Sequence, residues 1–289
     1  MIKYAFFVAA FAFMSNSVNA ADLTVATWNL AHFSGQDGSG CRPRVQNDYD
    51  ELKAVILNVD PDVWLFQEVE SVGGLARILD PTKWDLYAEK RAERKGGKCY
   101  GGTNIMNMQR TAIALKKGML LAPPTDLKFL DVNGSGALRY GVSARIAMNG
   151  TTIELINVHL KSGCFSGKSE EACRSLFMQV PYLTSYVGQA DAEGRAVLVG
   201  GDFNRRLSQK NDEVWATLSF NDKLGLQMSS VTGTSRCSVK GEVAIDYQLT
   251  TDKFRSVLTR ENAYEYTFTG PFKSWPSDHC PVVVSYTLK

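Results

Sequence analysis

Acidic, amide and histidine side chains stand at the ends of apolar runs in this sequence. The run VWLFQ leads into Glu68, and the run IELINV leads into His159. The run AVLVGG leads into Asp202, and Asn204 follows two residues later. A strand held on both faces is a rigid support, and its last residue projects from the sheet edge toward solvent. Because carboxylate and amide oxygens suit a hard divalent cation and imidazoles transfer protons, the pattern predicts a metal-dependent hydrolytic site.

Further groups of this kind precede or interrupt later runs. Asp278 and His279 directly precede CPVVV, and Asp246 lies within AIDYQL. A lone acid or amide at such a place, including Asn29 in TWNL, is more often a turn or capping residue than a metal ligand. We take His32, the third histidine of the chain, as structural for that reason. Five such sites, each with a group suited to a metal or a phosphate, together favour function over the structural alternative.

These groups need a sheet to hold them, and short apolar runs predict its strands. The turn Asn149-Gly150 predicts a hairpin of residues 140–148 and 151–158. Hairpins combined with helices predict an α/β fold with mixed sheets. The predicted strands cover residues 23–28, 63–66, 111–115, 153–158, 196–199 and 282–286.

Two segments have a helical pattern, and the composition fits one large domain. Apolar residues recur at helical spacing over residues 49–59, and residues 170–187 are also helical in pattern, with Pro181 predicting a kink or a break. Hydrophobic residues make up 44% of the chain, and no linker, internal repeat or low-complexity tract divides it. We therefore predict a single catalytic domain over residues 21–289.

The N-terminus has the layout of a secretory signal peptide. Lys3 precedes an apolar stretch over residues 4–14, and small and polar residues follow up to Ala20. Since the apolar stretch is too short to span a bilayer, stable membrane insertion is not expected. Residues 1–20 are predicted to be removed, so that the secreted or periplasmic chain begins at Ala21.

The net charge excludes polyanion binding through bulk charge alone. The chain has 32 Lys plus Arg against 30 Asp plus Glu, and removal of residues 1–20, which contain Lys3 and no acid, leaves 31 against 30. A protein that simply coats nucleic acid or an anionic membrane is far more basic. Any such binding must therefore depend on local clusters.

Six cysteines in an exported chain predict disulfides. None of them forms a CxxC pair, which argues against a zinc site built from these thiols. Cys164 and Cys173 flank one short polar loop and are the best-supported pair. The sequence leaves the other pairings open, and elimination alone suggests Cys41 with Cys99 and Cys237 with Cys280.

Six motifs carry the candidate groups in order along the chain. They are TWNL with Asn29, FQEVE with Glu68, NVHLKSG with His159, GGDFNRR with Asp202 and Asn204, AIDYQL with Asp246, and SDHCPVVV with Asp278 and His279. In that order they resemble the motifs of the endonuclease/exonuclease/phosphatase superfamily, whose best-known member is deoxyribonuclease I. The resemblance covers almost the whole exported chain. It implies a phosphoric ester hydrolase with a four-layer α/β/β/α sandwich of two mixed sheets and the site at one end.

The resemblance assigns the acids and amides to a metal or to the substrate phosphate. It implies that Glu68 is the principal metal ligand and that Asn29 and Asp278 complete the metal site. Asp202 and Asn204 contact the metal or the phosphate. Oxygen ligands of this kind suit Mg²⁺, with Mn²⁺ or Ca²⁺ as substitutes.

The same resemblance assigns proton transfer to the histidines. His279 resembles the family's general base, with Asp246 fixing its tautomer and supporting the imidazolium, and Asp202 is the alternative base. His159 is expected to contact the phosphate and is a candidate acid for the leaving oxygen. Where deoxyribonuclease I has a glutamate to support this second histidine, the sequence has Gln109, which stabilises an imidazolium less strongly.

A local basic cluster marks one loop of this nearly neutral chain. The segment KRAERKGGK carries one acid, Glu93, between two predicted strands. It is either a solvated loop or a clamp for a phosphate backbone. Arg205 and Arg206, beside Asn204, are further candidates for phosphate contacts, with solvent-facing structural roles as the alternative. The candidate clamp residues are Lys90, Arg91, Arg94 and Lys95.

The resemblance alone does not select a substrate, because this fold serves nucleases, sphingomyelinases and inositol-phosphate phosphatases alike. His159 and the basic segment favour an endonuclease acting on DNA, with a sphingomyelinase or an inositol-phosphate phosphatase as the alternative. A sphingomyelinase is expected to expose an aromatic-rich hairpin to the lipid interface, and the sequence shows no convincing one. Since every motif is filled, a catalytically inactive binding module is disfavoured. No protein partner is predicted.

Overall fold

The computed structural model describes residues 22–164, 171–219, 224–230, 232–237 and 243–289. The predicted signal peptide, residues 1–20, and the predicted first residue of the exported chain, Ala21, lie outside the described residues. In the described ranges, no helix has both the length and the apolar character needed to cross a membrane.

The first mixed sheet contains six of the described strands. In spatial order they are β11 (Leu258–Glu265), β12 (Val282–Leu288), β1 (Asp22–Phe33), β2 (Val63–Val69), β4 (Arg110–Lys116) and β3 (Trp84–Ala88). β1 and β2 run parallel, and the other neighbours run antiparallel. Four predicted strands are confirmed in this sheet, because β1, β2, β4 and β12 contain the predicted segments 23–28, 63–66, 111–115 and 282–286.

The second mixed sheet contains the other six described strands. In spatial order they are β5 (Thr125–Leu127), β6 (Gly141–Met148), β7 (Thr151–His159), β8 (Ala196–Asp202), β10 (Asp246–Thr250) and β9 (Gln227–Met228). β7 and β8 are parallel. The predicted hairpin is confirmed: β6 and β7 pair antiparallel, and the turn residues Asn149 and Gly150 have φ angles of 47° and 76°. Both positive φ angles are those that a two-residue hairpin turn requires.

Five α-helices lie within the described residues. They are α1 (Gln46–Val59), α2 (Val72–Leu75), α3 (Glu171–Ala192), α4 (Glu213–Ser219) and α5 (Asp252–Ser256). α1 confirms the helix predicted over residues 49–59. Of the kink or break predicted at Pro181, the break does not occur, because α3 continues through this residue; the kink stays a prediction. Although proline removes one intrahelical hydrogen bond, the buried side chains Leu176, Val180 and Leu183 hold this face of α3 against the second sheet.

The helices and the two sheets form four layers, and one apolar cluster packs between each pair of adjacent layers. α1 packs through Tyr49 and Leu52 on the outer face of the first sheet. α3 and α4 pack on the outer face of the second sheet, where α4 contributes Val214. A third cluster lies between the sheets and joins side chains such as Leu65 and Leu155. The predicted four-layer α/β/β/α sandwich with two mixed sheets is therefore confirmed.

Buried amides connect the two sheets and fix how they face each other. Asn157 of β7 donates to the carbonyl oxygens of Phe66 and Ala112, at 2.8 and 2.7 Å, and accepts a 2.8 Å hydrogen bond from Gln67. Gln248 of β10 donates across the interface to the carbonyl oxygen of Val25 at 2.9 Å. Because buried amides are costly unless satisfied, these bonds select one relative position of the sheets.

Candidate active site

Strand register places three of the predicted site residues side by side. His159 and Asp202 end the parallel strands β7 and β8 and are register partners. Asp246 begins β10 and is the register partner of Asp202 on its other side. All three are buried, with at most 8% of the residue exposed. One edge of the second sheet therefore presents an imidazole and two carboxylates in a row.

His279 completes this row from the loop before β12. Its Nδ1 lies 2.7 Å from Asp246 Oδ2. The loop is held in place because the Trp28 indole donates to the His279 carbonyl oxygen at 2.9 Å. Burial lowers the pKa of His279, but the charge and the hydrogen bond of Asp246 outweigh burial, so that the pKa is raised well above its ordinary value. The pair has the arrangement of a histidine oriented by a carboxylate.

Asp202 is the centre of the site. Its Oδ2 accepts a hydrogen bond from Asn29 at 3.1 Å, and its Oδ1 accepts one from the backbone of Asn204 at 2.8 Å. His159 Nε2 lies 3.5 Å from the same Oδ2. Burial raises the pKa of Asp202 to about 7, and the charge of Asp246 adds to the effect. Ligand atoms of Asp202, Asp246 and His279 all lie within 4.8 Å of one another, close enough to hold one cation.

Glu68 approaches from the first sheet, at an irregular end of β2. Its φ of 59° is unusual for a residue with a side chain, and the pairing of β1 with β2 shifts register beside it. Glu68 Oε2 accepts a 2.7 Å hydrogen bond from the backbone of His32, whose ring Nε2 lies 3.8 Å away. His32 thus lies beside a proposed metal ligand, and its interpretation as a structural residue stays a prediction. Its placement depends on the positive φ of Ala31 and His32, and the one signal in the sequence was that histidines are rare in this chain.

Gln109 does not support His159. Its side-chain nitrogen lies 3.0 Å from Nδ1 of His32 instead, and His159 Nδ1 is buried without a hydrogen-bond partner among the described residues. Burial, followed by the positive charge of Arg139, lowers the pKa of His159 well below its ordinary value. At neutral pH His159 is uncharged, which favours a phosphate contact over the role of acid.

Arg139 is a site residue that the sequence analysis missed. It donates to the carbonyl oxygens of His159 and Leu160 at 3.2 and 2.8 Å, at the end of β7. Burial lowers the pKa of Arg139, while the negative charges of Glu68 and Asp202 oppose that effect. A half-buried guanidinium facing those carboxylates can neutralise charge on a bound anion. Nothing in the sequence around this single arginine distinguishes it from a loop residue.

The remaining predicted ligands lie at the rim. Asn204 is buried, with φ of 51°, and its side chain donates to the carbonyl oxygen of Leu160 at 3.1 Å. Asp278 is exposed, and its carboxylate lies 3.9 Å from the guanidinium of Arg42. The loop of Asp278 is attached to β1 because Ser277 donates to the Asn29 carbonyl oxygen at 2.6 Å. The hydrogen bond from Asn29 to Asp202 then joins the two sheets at this end of the sandwich.

The basic segment divides into buried and exposed residues. Arg91 is 5% exposed, lies 3.4 Å from buried Glu89, and donates to the Gln109 carbonyl oxygen. Its prediction as a clamp residue is not supported: Arg91 lines the same cleft as Arg94, but its small exposed area and its ion pair with Glu89 leave little surface for a phosphate backbone. Arg94 and Lys95 are exposed and line, with Arg139, a cleft of about 190 Å³. Lys90 is exposed as well and lies over the Tyr87 ring.

Arg205 is corrected for the same reason. Its guanidinium donates to Asp212 at 2.6 Å and to the Cys164 carbonyl oxygen at 3.2 Å, so that it supports the loop beside the site. Arg206 is half-buried in that loop. The sequence could not show these pairings, because Asp212 is an acid like many others in the chain.

Three disulfides connect the loops around the site. Cys164 is bonded to Cys173. The other two bonds are those suggested by elimination, Cys41 with Cys99 and Cys237 with Cys280. The first of these joins the basic segment to the loop after β1, and the second lies next to His279. The described residues contain no free cysteine.

The fold is similar to solved structures of endonuclease/exonuclease/phosphatase proteins. Truncated TDP2 from Caenorhabditis elegans has a TM-score of 0.62 at 19% identity over 92% of this chain and 97% of that chain. A protein of this family from Bacteroides vulgatus has a TM-score of 0.62 at 16% identity over 93% and 100%. The human Nocturnin catalytic domain, solved with a bound sulfate anion, has a TM-score of 0.59 at 14% identity over 93% and 95%. No protein-family model and no curated protein matches the chain. The likeness confirms the predicted superfamily resemblance as a shared fold.

Proposed function

We propose that this protein is an exported, divalent-metal-dependent phosphodiesterase that cleaves nucleic acid internally, with DNA as the favoured substrate. The observation that carries the proposal is the pairing of His279 with Asp246 against the buried carboxylate of Asp202. The base, its charged support and the carboxylate of Asp202, one of the proposed metal ligands, then occupy the same end of the sandwich. These are the components that hydrolysis of a phosphate diester requires.

The residues at this end of the sandwich fit a hard divalent cation such as Mg²⁺, with Mn²⁺ or Ca²⁺ as substitutes. Asp246 Oδ1 is buried without a hydrogen-bond partner among the described residues, and burial raises the pKa of Asp202, so that both carboxylates would be stabilised by a nearby positive charge. Glu68, Asp202 and Asp278, with the amide of Asn29, would hold the ion. When bound, it would neutralise charge on the phosphoryl oxygens.

The chain's own groups account for proton transfer. Asp246 occupies Nδ1 of His279, so that Nε2 is the nitrogen that would accept the proton of the attacking water. Because Asp246 and Asp202 raise the pKa of His279, this role needs an uncharged imidazole, a state that a cation bound at Asp202 would favour. The water oxygen forms a bond to phosphorus as the bond to the leaving ester oxygen breaks, and solvent water protonates that oxygen. Uncharged His159 donates a hydrogen bond to a phosphoryl oxygen. The positive charge of Arg139 offsets the negative charge of the phosphoryl group. Asn204 holds Asp202 through its backbone N–H.

Local positive charge supports a nucleic-acid substrate. Arg94 and Lys95 line one cleft with Arg139, and Arg139 also donates to the carbonyl oxygen of His159. A strand that follows this cleft would place neighbouring phosphates beside these side chains, and such contacts hold a backbone in register without reading bases. Arg206 remains a candidate for a further phosphate contact.

Export is supported by the disulfides. Three bonds within the described residues fit an oxidising compartment, and the N-terminal 20 residues have the pattern of a cleaved leader. We therefore place the protein in the periplasm or outside the cell.

A side-by-side substrate panel tests the proposed function. The exported form, residues 21–289, is incubated with supercoiled plasmid, single-stranded DNA, RNA, sphingomyelin vesicles and inositol phosphates, with Mg²⁺ and with excess EDTA. We expect plasmid nicking that needs Mg²⁺. Turnover of a lipid or an inositol phosphate without any nicking would overturn the nucleic-acid assignment while leaving phosphoester hydrolysis in place.

A further inference from the structure

An aromatic cluster lies in the loop that leads from β11 to Asp278, one of the proposed metal ligands. We define the aromatic platform as Phe268, Phe272 and Trp275. The ring centroids of Phe268 and Trp275 are 5.7 Å apart, and those of Phe272 and Trp275 are 5.1 Å apart, both in edge-to-face arrangements. Phe268 continues the cluster inward to buried Trp28 at 6.0 Å. The platform is therefore an outward extension of the core.

The outer end of the platform is exposed. Phe272 is 43% exposed, which is high for a phenylalanine that also packs against another ring. Lys273 beside it is exposed too. The indole nitrogen of Trp275 donates to the carbonyl oxygen of Gly270 at 3.1 Å, so that the ring offers an apolar surface whose one polar group is already satisfied.

Two arginines fix the platform relative to the proposed metal ligands. Arg42 donates to the Trp275 carbonyl oxygen and lies 3.9 Å from the Asp278 carboxylate. Buried Arg44 donates to the carbonyl oxygens of Pro276 and Leu30, at 3.2 and 2.6 Å, and so connects the loop to β1. The rings are thus held in one position a few residues from the site, as a recognition surface requires.

We infer that the aromatic platform is a stacking subsite for one unpaired nucleobase next to the cleaved phosphate, and that this makes single-stranded or locally opened nucleic acid the preferred substrate. The inference rests on the proposed function. A flat ring beside a cation is the combination that holds single-stranded nucleic acid, because the ring stacks on a base and the cation contacts the backbone. In a duplex the same base is already stacked on its neighbours and is not available.

The exposed apolar area argues against a lipid surface as the occupant. Phe272 is the one large apolar side chain of this loop that is prominently exposed among the described residues. One such side chain next to a lysine is far less than stable membrane attachment needs, since even a whole acyl chain gives only marginal binding. One ring is, however, sufficient to stack one base.

The test uses single-stranded DNA oligonucleotides in which one abasic spacer is moved along the strand, with Mg²⁺ present. For the parent protein we expect kcat/KM to fall by about 5- to 150-fold when the spacer occupies one position beside the cleaved bond, since stacking on one base has that value. Phe272→Ala should lose the same factor on the intact strand and show no further loss at that position. Phe272→Trp should behave like the parent, and Phe272→Leu, which stays apolar but cannot stack, should behave like Phe272→Ala.

Tyr182→Ala is the matched control, because Tyr182 is an aromatic residue of α3 that is 52% exposed on another face. It should leave both kcat/KM and the dependence on spacer position unchanged. If the spacer lowers kcat/KM by the same factor in the parent and in Phe272→Ala at every position, the proposed subsite is wrong, whereas the nuclease assignment stands. Parent protein that cleaves no nucleic acid would overturn both. Loss of binding to phosphatidylcholine–sphingomyelin vesicles in Phe272→Ala, with unchanged oligonucleotide cleavage, would overturn the subsite in favour of a membrane contact.

Discussion

The hydrogen bond between His279 and Asp246 determines which nitrogen of the imidazole is free to accept a proton. At 2.7 Å it occupies Nδ1, and the negative charge of Asp246 stabilises the imidazolium that forms when Nε2 takes a proton. His159 has the opposite environment, with burial and Arg139 keeping it uncharged. Two histidines in one site are thereby given different tasks by their neighbours, as with other paired groups whose environments move their pKa values apart.

Asp246→Asn tests the support that the carboxylate gives to His279. The variant keeps the size of the side chain but lacks its charge, so we expect kcat to fall by roughly 100- to 10,000-fold, as for His279→Ala. The initial rate of plasmid nicking measures the effect, and thermal unfolding by circular dichroism checks the fold. Asp50→Asn, which changes an exposed acid of α1, should keep the parent rate. A rate for Asp246→Asn within a few-fold of the parent would show that the pair is structural.

Glu89 gives the protein a pH-dependent stability term. It is 1% exposed, and burial raises its pKa from 4.5 to about 7, against the opposing charge of Arg91. Because the folded-state pKa is higher than the unfolded one, the cost of ionised Glu89 is absent below about pH 4.5 and complete above about pH 7. Glu89→Gln does not titrate. We therefore compare the free energy of unfolding of Glu89→Gln with that of the parent. As pH rises from about 4.5 to about 7, the variant should become more stable relative to the parent by up to about 3 kcal/mol.

Urea unfolding of the parent and of Glu89→Gln at several pH values between about 4.5 and 7 measures how the stability difference between them changes with pH. The test uses that change and not the size of the difference at low pH. Glu51→Gln, at an exposed position of α1, is the control and should give a difference that does not vary with pH. A constant difference for Glu89→Gln would contradict the raised pKa.

At the scale of elements, the register of regular strands places the site residues next to one another, and irregular backbone at strand ends orients their side chains. The register of β7, β8 and β10 aligns His159, Asp202 and Asp246. Glu68 and Asn204, with φ of 59° and 51°, lie where the chain leaves that regularity. Such conformations cost roughly 1 kcal/mol or more each, and persist where surrounding contacts hold them. Here the contacts are hydrogen bonds within the site, from the His32 backbone to Glu68 and from Asn204 to Leu160 and Asp202.

Asn157→Ala tests the connection between the sheets. The variant removes the hydrogen bonds that Asn157 makes to the carbonyl oxygens of Phe66 and Ala112 and to the amide of Gln67 in a buried interface. We expect a loss of about 2 to 5 kcal/mol in the free energy of unfolding, measured by urea denaturation. Asn47→Ala, on the exposed face of α1, should cost less than about 0.5 kcal/mol. Equal costs for the two variants would mean that the amide network does not hold the sheets together.

At the scale of the whole molecule, the sequence predicted those features that depend on local patterns of residues. Apolar runs predicted the strands, and the motif order predicted the sandwich, because both are properties of neighbouring residues. The roles of His32 and Arg139 depend on contacts with Glu68 and His159, which are distant in sequence. The positions of Arg91 and Arg205 depend in part on the carbonyl oxygens of Gln109 and Cys164, which only the fold brings near. A guanidinium paired with Glu89 or Asp212 has the same one-letter code as one that faces DNA, so that only the folded arrangement separates them.

The number of disulfides in the whole molecule can be measured by counting free thiols before and after reduction. Six cysteines form three disulfides among the described residues, so protein recovered from an oxidising compartment should take up no alkylating label until it is reduced, and then six. Mass spectrometry of the intact protein reads both numbers. Labelling of Cys164 and Cys173 before reduction would contradict the bond that closes the loop beside the site.

The central claim is that a divalent cation held by Glu68 and its neighbours makes this end of the sandwich a nuclease site. The most direct measurement is the initial rate of plasmid nicking by the parent, by Glu68→Gln and by Glu70→Gln, with Mg²⁺ and with excess EDTA. Glu70 lies two residues further along and bonds to Ser34 at 2.6 Å, away from the proposed ligands. We expect nicking by the parent and Glu70→Gln with Mg²⁺ only, and a rate for Glu68→Gln that is lower by roughly 100-fold or more. Full nicking in EDTA, or a Glu68→Gln rate equal to that of the parent, would contradict the claim.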